Sequence, residues 1–192
     1  MQLIFATNNE NKLIEIKHKI PNYINLLSLE DINFIDEPDE NGATFAANAL
    51  IKAKSIWQKL LINCFAEDSG LVVEELNGNP GINSSIYSGE RNDKKNIEKV
   101  LNELNNKENR NAYFTTIIAL IIENKEYIFE GKITGKITLE PIGNNGFGYD
   151  SIFIPTGFNK TFAQFTIEEK SKISHRGIAL NKLVNFIANY GN

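Results

Sequence analysis

A chain of 192 residues that is 42% hydrophobic and 23% charged has enough apolar material for one sizeable core and too much of it for a disordered chain. Its net charge of −4 excludes a broad, non-specific nucleic-acid surface, so an anionic ligand would need local cations or a metal. The single cysteine, Cys64, excludes an internal disulfide and reads as a small buried hydrophobe.

Gln2 to Ala6 is a short apolar run that predicts a buried strand. It leads into Thr7-Asn8-Asn9, where Asn8 or Asn9 can cap a following helix. Leu13, Ile14, Ile16 and Ile20 supply that helix with an apolar stripe, and Pro21 ends it. His18 lies between lysines on the same helix and reads as a surface residue. Ile24 to Leu27 predicts a second short strand. Met1 to Ala6 is too short and too soon polar for a signal peptide, and no run approaches the ~18 apolar residues of a membrane helix. A reducing, cytoplasmic setting is therefore expected, with no membrane partner.

Asp36 to Asn41 is an acidic loop containing Pro38. Gly42 to Leu60, rich in Ala and carrying Leu50, Ile51, Ile56 and Trp57, has the clearest helical pattern, with Thr44 as its cap. Asn63 to Ala66 and Leu71 to Glu74 predict strands on either side of an acidic corner, Glu67-Asp68-Ser69-Gly70. Gly78, Pro80 and Gly81 mark a turn-rich loop. Asp93 to Leu104 predicts an amphipathic helix through Ile97, Val100, Leu101 and Leu104. Tyr113 to Ile122 and Tyr127 to Leu139 predict a long antiparallel hairpin around Asn124-Lys125.

Gly143 to Gly148 is a glycine-rich loop, and Ser151 to Ile154 a short strand ended by Pro155. Ile167 to Lys172 predicts one or two helical turns, and Arg176 to Tyr190 a closing helix with Leu180, Leu183, Val184 and Ile187 inward. The order mixes β-α units with a hairpin and shows no repeat or linker. That predicts an α/β or α+β class with a mixed sheet, within a single domain over 1–192.

Four clusters have residue types suited to chemistry. Thr7 to Lys12 would bring free N–H groups at a helix start together with a lysine, which attracts phosphate, although an ordinary cap explains it as well. Asp39, Glu40, Glu67 and Asp68 are an oxygen-rich set suited to Mg²⁺, with a plain turn as the alternative. Gly143 to Asp150 sets an aromatic pair among glycines, which suits a loop over a flat base or a tight structural turn. Lys170 with Ser174-His175-Arg176 gathers donors before the last helix, either for a planar anionic ligand or for a solvated face.

Together these segments resemble the inosine triphosphate pyrophosphatase family, the noncanonical purine nucleoside triphosphate pyrophosphatases. The resemblance rests on Phe5-Ala6-Thr7-Asn8-Asn9 with Lys12, Gly42-Ala43-Thr44-Phe45 with Asn48-Ala49 and Lys52-Ala53, and Ala66-Glu67-Asp68-Ser69-Gly70-Leu71. It continues through Pro80-Gly81, Tyr87-Ser88-Gly89, Gly146-Phe147-Gly148-Tyr149-Asp150, Glu169-Lys170 and Ile173-Ser174-His175-Arg176. These matches span nearly the whole chain in the family's order.

The resemblance implies an elongated mixed β-sheet flanked by helices, two lobes with the active cleft between them, and a homodimer. It implies hydrolysis of ITP, dITP and XTP to the monophosphate and pyrophosphate with Mg²⁺, or Mn²⁺, which clears deaminated purines from the nucleotide pool. By position, Thr7, Asn8, Asn9, Glu10, Asn11 and Lys12 would hold the triphosphate, with Lys52 a further phosphate contact. Asp68 would be the general base and a metal ligand, with Glu40 the second metal carboxylate and Asp39 its close rival. Ser69 would contact substrate, Phe147, Gly148, Tyr149 and Asp150 would embrace base and sugar, and Lys170, His175 and Arg176 would read the purine edge and offset charge. The chain departs from the family pattern at Ala47, where Glu is common, at Ile86, where Arg is common, and at Ser151, where Pro is usual. The alternatives are a pyrophosphatase for other modified nucleotides and a catalytically silent nucleotide sensor.

Overall fold

The computed structural model describes residues 1–35, 38 and 40–190. Asp36, Glu37 and Asp39 of the acidic loop lie outside the described residues.

Among the described residues, five α-helices and six β-strands follow in the order β1 (Gln2–Phe5), α1 (Glu10–Lys19), β2 (Asn25–Leu27), α2 (Phe45–Leu60), β3 (Cys64–Val73) and α3 (Asp93–Glu103). Then come β4 (Asn111–Ile122), β5 (Lys125–Ile137), β6 (Phe153–Pro155), α4 (Ile167–Ile173) and α5 (His175–Asn189). The strands form one sheet in the order β2-β1-β3-β4-β5-β6. β1 is parallel to β2 and to β3, in register with Ile4 beside Cys64 and Phe5 beside Phe65, whereas β6 is antiparallel to β5. The fold is therefore mixed α/β.

Local chemistry accounts for most element ends. The Asn9 side chain caps α1 by accepting from the Lys12 N–H at 3.1 Å, and the helix stops before Pro21. Thr44 caps α2 in the same way, accepting from the Ala47 N–H at 3.1 Å. Thr166 and Glu169 form a reciprocal capping box at the start of α4. The hairpin turn lies one residue earlier than predicted. Glu123 and Asn124 both take positive φ, 50° and 62°, as a two-residue primed turn requires, so β5 begins at Lys125 and ends at Ile137.

Two predictions fail. Ile14 was expected in the buried stripe of α1 but is 55% exposed, and only Ile16 of that helix is fully buried. The acidic corner does not exist either. β3 runs without a break through Glu67, Asp68, Ser69 and Gly70. Turn-favouring residues yield here because the segment continues as a strand of the sheet, while cations from elsewhere in the chain satisfy the acids.

The chain condenses into two compact units, and β3, β4 and β5 contribute residues to both. The first unit comprises Met1–Asp68, Thr116–Gly131 and Arg176–Asn192. The period-two alternation of its strands builds a core on each sheet face. Leu3, Phe5, Phe65, Ile118, Leu120 and Ile122 pack with Ile16 of α1 and with Ala179, Leu180, Leu183 and Ile187 of α5. Ile4, Ala6, Cys64, Ala66, Ala119 and Ile121 pack with Ala49, Ala53 and Ile56 of α2.

The second unit comprises Ser69–Thr115 and Lys132–His175. Its core is aromatic, with Phe114, Phe153, Phe162 and Phe165 packed among Leu71, Val73, Val100 and Leu104. Arg110 ties this unit's backbone by donating to the carbonyls of Leu104, Ile137 and Thr138. Among the described residues, no helix is long and apolar enough to cross a membrane.

Candidate active site

Glu67 and Asp68 are consecutive residues of a strand, so their side chains leave opposite faces of the sheet. Each face gives its acid different partners. Glu67 shares the face of Phe65, beneath α1 and α5, and Asp68 shares the face of Ala66, beneath α2.

Glu67 is 2% exposed and sits at the centre of a buried ion network. The Arg176 guanidinium donates to it through Nε at 2.9 Å to both oxygens and through Nη2 at 2.8 Å. Arg176 Nη1 donates to Glu15 Oε2 at 2.6 Å, and Lys12 Nζ lies 3.2 Å from Glu67 Oε1. Two cations and two anions thus balance one another. Burial opposes ionisation of Glu67, but Arg176 and then Lys12 outweigh it and hold the carboxyl at about 2. Burial also draws the Lys12 ammonium below its usual range, against the pull of Glu67.

Asp68 is 7% exposed and has weaker support. Asn48 Nδ2 donates to its Oδ2 at 3.3 Å, and Lys52 Nζ stands 3.6 Å from its Oδ1. The Asn48 amide is oriented in turn, because its Oδ1 accepts the Gly42 N–H at 2.8 Å. Lys52 Nζ also donates to Glu40 Oε2 at 2.8 Å. Burial pushes the Asp68 carboxyl above its usual range, Lys52 and Lys12 pull it down, and Glu40 adds to the rise. A carboxylate with raised proton affinity, flanked by lysines, can take a proton from water while the cations offset an anionic phosphate.

The donor set fits a hard divalent cation. Glu40 and Asp68 already share one positive centre in Lys52 Nζ, and carboxylate oxygens are the ligands Mg²⁺ prefers. Among the described residues, no three acids, imidazoles or thiolates gather at one point, so further ligands would be water and phosphate oxygens. Asp39, the rival ligand, lies outside the described residues.

Thr7 and Asn9 shape the turn before α1, with Thr7 Oγ1 accepting from the Asn9 N–H at 3.2 Å. Asn8, Asn9, Glu10 and Asn11 are exposed and Lys12 is half-buried. His18 is exposed and Cys64 buried, as expected.

The second unit holds the remaining predicted residues. Ser69 is half-buried in β3. Residues 148–152 form a 3-10 turn where part of a strand was expected, and β6 starts only at Phe153. Asp150 is 2% exposed, and its Oδ2 accepts both the Phe147 N–H at 2.9 Å and the buried Lys170 ammonium. Gly146 is obligatory at its position, because it has φ +73° and an added Cβ would lie 2.1 Å from Asp150 Oδ2. Lys170 Nζ lies 5.1 Å from the Phe147 ring centroid. Tyr149 is buried and donates through its hydroxyl to the Ser84 carbonyl at 2.8 Å. His175 is 3% exposed, its ring stacked on Phe114 at 4.6 Å with 9° between planes.

The structure therefore brings together Lys12, Glu67 and Arg176, then Glu40, Lys52 and Asp68, and separately Phe147, Asp150 and Lys170. Sequence reasoning did not single out Glu15 or Asn48 as partners. Helical spacing carries a signal for both, since Glu15 follows Lys12 by three positions on α1 and Lys52 follows Asn48 by four on α2. Of the two departures from the family pattern named before Ser151, Ala47 contributes its backbone N–H to the Thr44 cap, and Ile86 is 46% exposed.

Comparison with known proteins adds whole-chain relationships. The pattern of the Ham1 family matches residues 3–186. A dITP/XTP pyrophosphatase from Flavobacterium psychrophilum is 50% identical over 190 residues, covering 98% of this chain and all of the relative. The Ham1 protein of Staphylococcus aureus superposes with a TM-score of 0.89 at 37% identity, and a HAM1 protein from Coxiella burnetii with 0.90 at 35%. Both alignments cover 98% of each chain.

Proposed function

The chain belongs to the Ham1 family, and on that premise we propose that it hydrolyses noncanonical purine nucleoside triphosphates, dITP, XTP and ITP, to the monophosphate and pyrophosphate. The observation that carries this reading is buried Asp68, with raised proton affinity and with Asn48, Lys52 and Glu40 around it.

Attack at a phosphoryl group requires a positioned water and charge stabilisation more than covalent chemistry. Asp68 orients the water and accepts its proton. Asn48 keeps the carboxylate in place, since both ends of its amide are engaged. Lys12 and Lys52, with the turn from Thr7 through Asn8, Asn9, Glu10 and Asn11, bind the triphosphate. Asp68 and Glu40 would hold Mg²⁺, with Mn²⁺ as a substitute. When bound, the ion would polarise phosphate oxygens and offset the charge of the leaving pyrophosphate. Arg176 contributes by anchoring Glu67, which in turn fixes the Lys12 ammonium.

Ser69 contacts substrate, and Phe147, Gly148, Tyr149 and Asp150 take the base and sugar. Lys170 and His175 give the purine edge its donor character, while Arg176 is engaged by Glu67 and Glu15. Hypoxanthine and xanthine present a carbonyl at the 6-position and adenine an amine, so a donor there is satisfied by the first two and left unpaired by the third. The family resemblance also supports a homodimer working in the cytoplasm.

A nucleotide panel with pyrophosphate detection tests the reading. Release from ITP, dITP and XTP is expected to exceed that from ATP and GTP by roughly tenfold or more. Equal rates on all five would remove the specificity assignment.

A further inference from the structure

We propose that Asp93, the first residue of α3, is a positioning residue that sets the backbone of Phe147 and thereby the affinity for the purine nucleotide. The inference rests on the reading above, in which Phe147 to Asp150 take the base and sugar.

The two amides that flank the Phe147 Cα are each held by a carboxylate. The Phe147 N–H donates to Asp150 Oδ2 at 2.9 Å, within the loop itself. The next N–H, that of Gly148, donates to Asp93 Oδ2 at 2.8 Å across 55 residues of chain. Between these two anchors Phe147 is extended, with φ −157° and ψ 173°. Gly148 then takes φ +56°, and nothing lies within 4 Å of where its Cβ would be. The glycine is therefore required for its conformation and not for space, and the Asp93 bond holds it in that conformation.

Asn145 and Tyr149 of the loop are braced by neutral contacts. Asn145 accepts no part of this role, since its N–H and side-chain amide donate to the carbonyls of Ala163 and Phe165. Tyr149 is tied to the Ser84 carbonyl. Asp150 belongs to the base-and-sugar segment and carries Lys170 as well. Asp93 stands outside that segment and hydrogen-bonds to its backbone at Gly148, so its substitution tests positioning apart from direct contact with the nucleotide.

Asp93 also lies in the first turn of α3, where a carboxylate favours the helix whatever the loop does, and Asn92 caps the same helix through the Lys95 N–H at 3.0 Å. The test must distinguish that helix effect from positioning. Asp93→Ala removes the acceptor, and Asp93→Asn keeps an acceptor oxygen while losing the charge. Steady-state kinetics with dITP and amide hydrogen exchange across residues 145–149 are measured for both variants and the wild type.

Asp93→Ala is expected to raise KM about three- to tenfold, the worth of one hydrogen bond, with kcat little changed and with faster exchange at Gly148. Asp93→Asn is expected to restore both readouts most of the way. An unchanged KM in Asp93→Ala, or an Asn variant no better than Ala in exchange and KM, overturns the proposal. A wild-type chain that turns over none of the nucleotides overturns the functional reading alone. Exchange at Gly148 then still decides whether Asp93 holds the loop, and unaltered exchange in Asp93→Ala overturns that.

Discussion

Replacing Asp68 with Asn is expected to abolish pyrophosphate release from ITP and XTP while leaving nucleotide binding largely intact. The substitution preserves shape and an oxygen that can still accept from Asn48 Nδ2, now 3.3 Å from Asp68 Oδ2. What it removes is the group able to take a proton from water and the negative partner of Lys52 and of a metal ion. Loss of general-base action alone costs about 10²–10⁴-fold in rate, so kcat should fall by at least the lower figure. Stability should not fall with it. Burial raises the Asp68 pKa above its unfolded value, so the ionised carboxylate works against folding at neutral pH and its neutral replacement relieves that cost. The variant should therefore melt at or above the wild-type temperature, which separates a catalytic defect from unfolding. Calorimetric binding of ITP and continuous pyrophosphate detection are the measurements. Wild-type turnover in Asp68→Asn would refute the assignment.

The second large effect is on the other face of the same strand. Glu67→Gln removes the carboxylate that the Arg176 guanidinium and the Lys12 ammonium share, in a site where Glu67 and Arg176 are 2% and 3% exposed. Removing one partner of a buried ion pair costs about 3–5 kcal/mol, because the remaining charge stays desolvated and unmatched. For a chain of this size that lowers Tm by roughly 10 °C. Combining Glu67→Gln with Arg176→Met should recover part of the loss, since the second change removes the orphaned charge, and the double-mutant cycle reads the coupling directly.

Acid should narrow the difference between Glu67→Gln and wild type. The Glu67 carboxyl is held at about 2 instead of its ordinary 4.5. Its stabilising contribution is complete above the ordinary value and is lost as pH falls toward the depressed one. Thermal melts of both proteins at neutral pH and near pH 3 measure this. A Glu67→Gln variant that melts within about 2 °C of wild type at neutral pH would show that the network contributes little.

The two acids are neighbours in sequence, yet their substitutions are expected to do different things, one to rate and one to stability. That division was not visible in Glu67-Asp68-Ser69-Gly70 as a string of residues. Read as a corner, the segment would have exposed both carboxylates to the same surroundings. Read as a strand, it must send them to opposite faces. Asp, Ser and Gly all favour turns, so the local preference pointed the wrong way, and only pairing with the neighbouring strands overrode it. Similarly, Arg176 was expected beside His175 as a donor to ligand. The start of α5 instead turns Arg176 toward Glu67 and Glu15, while His175 stacks on Phe114 in the other unit's core. Consecutive helical positions point about 100° apart, so neighbours in that motif need not share an environment.

The sequence by itself determined most of the elements and the family. Caps at Asn9 and Thr44, the break at Pro21 and the apolar periodicity of α2, α3 and α5 act over a few residues and can be read locally. The ordered set of motifs identified the family for the same reason, since each motif is contiguous. Only the tertiary structure decided which residues meet. Arg176 reaches Glu67 across 109 positions, Asn48 reaches Asp68 across 20, and Asp93 reaches Gly148 across 55. Such pairs depend on strand order, on which face a side chain leaves, and on the burial that makes a charge seek a partner. None of these is a property of a local stretch of chain.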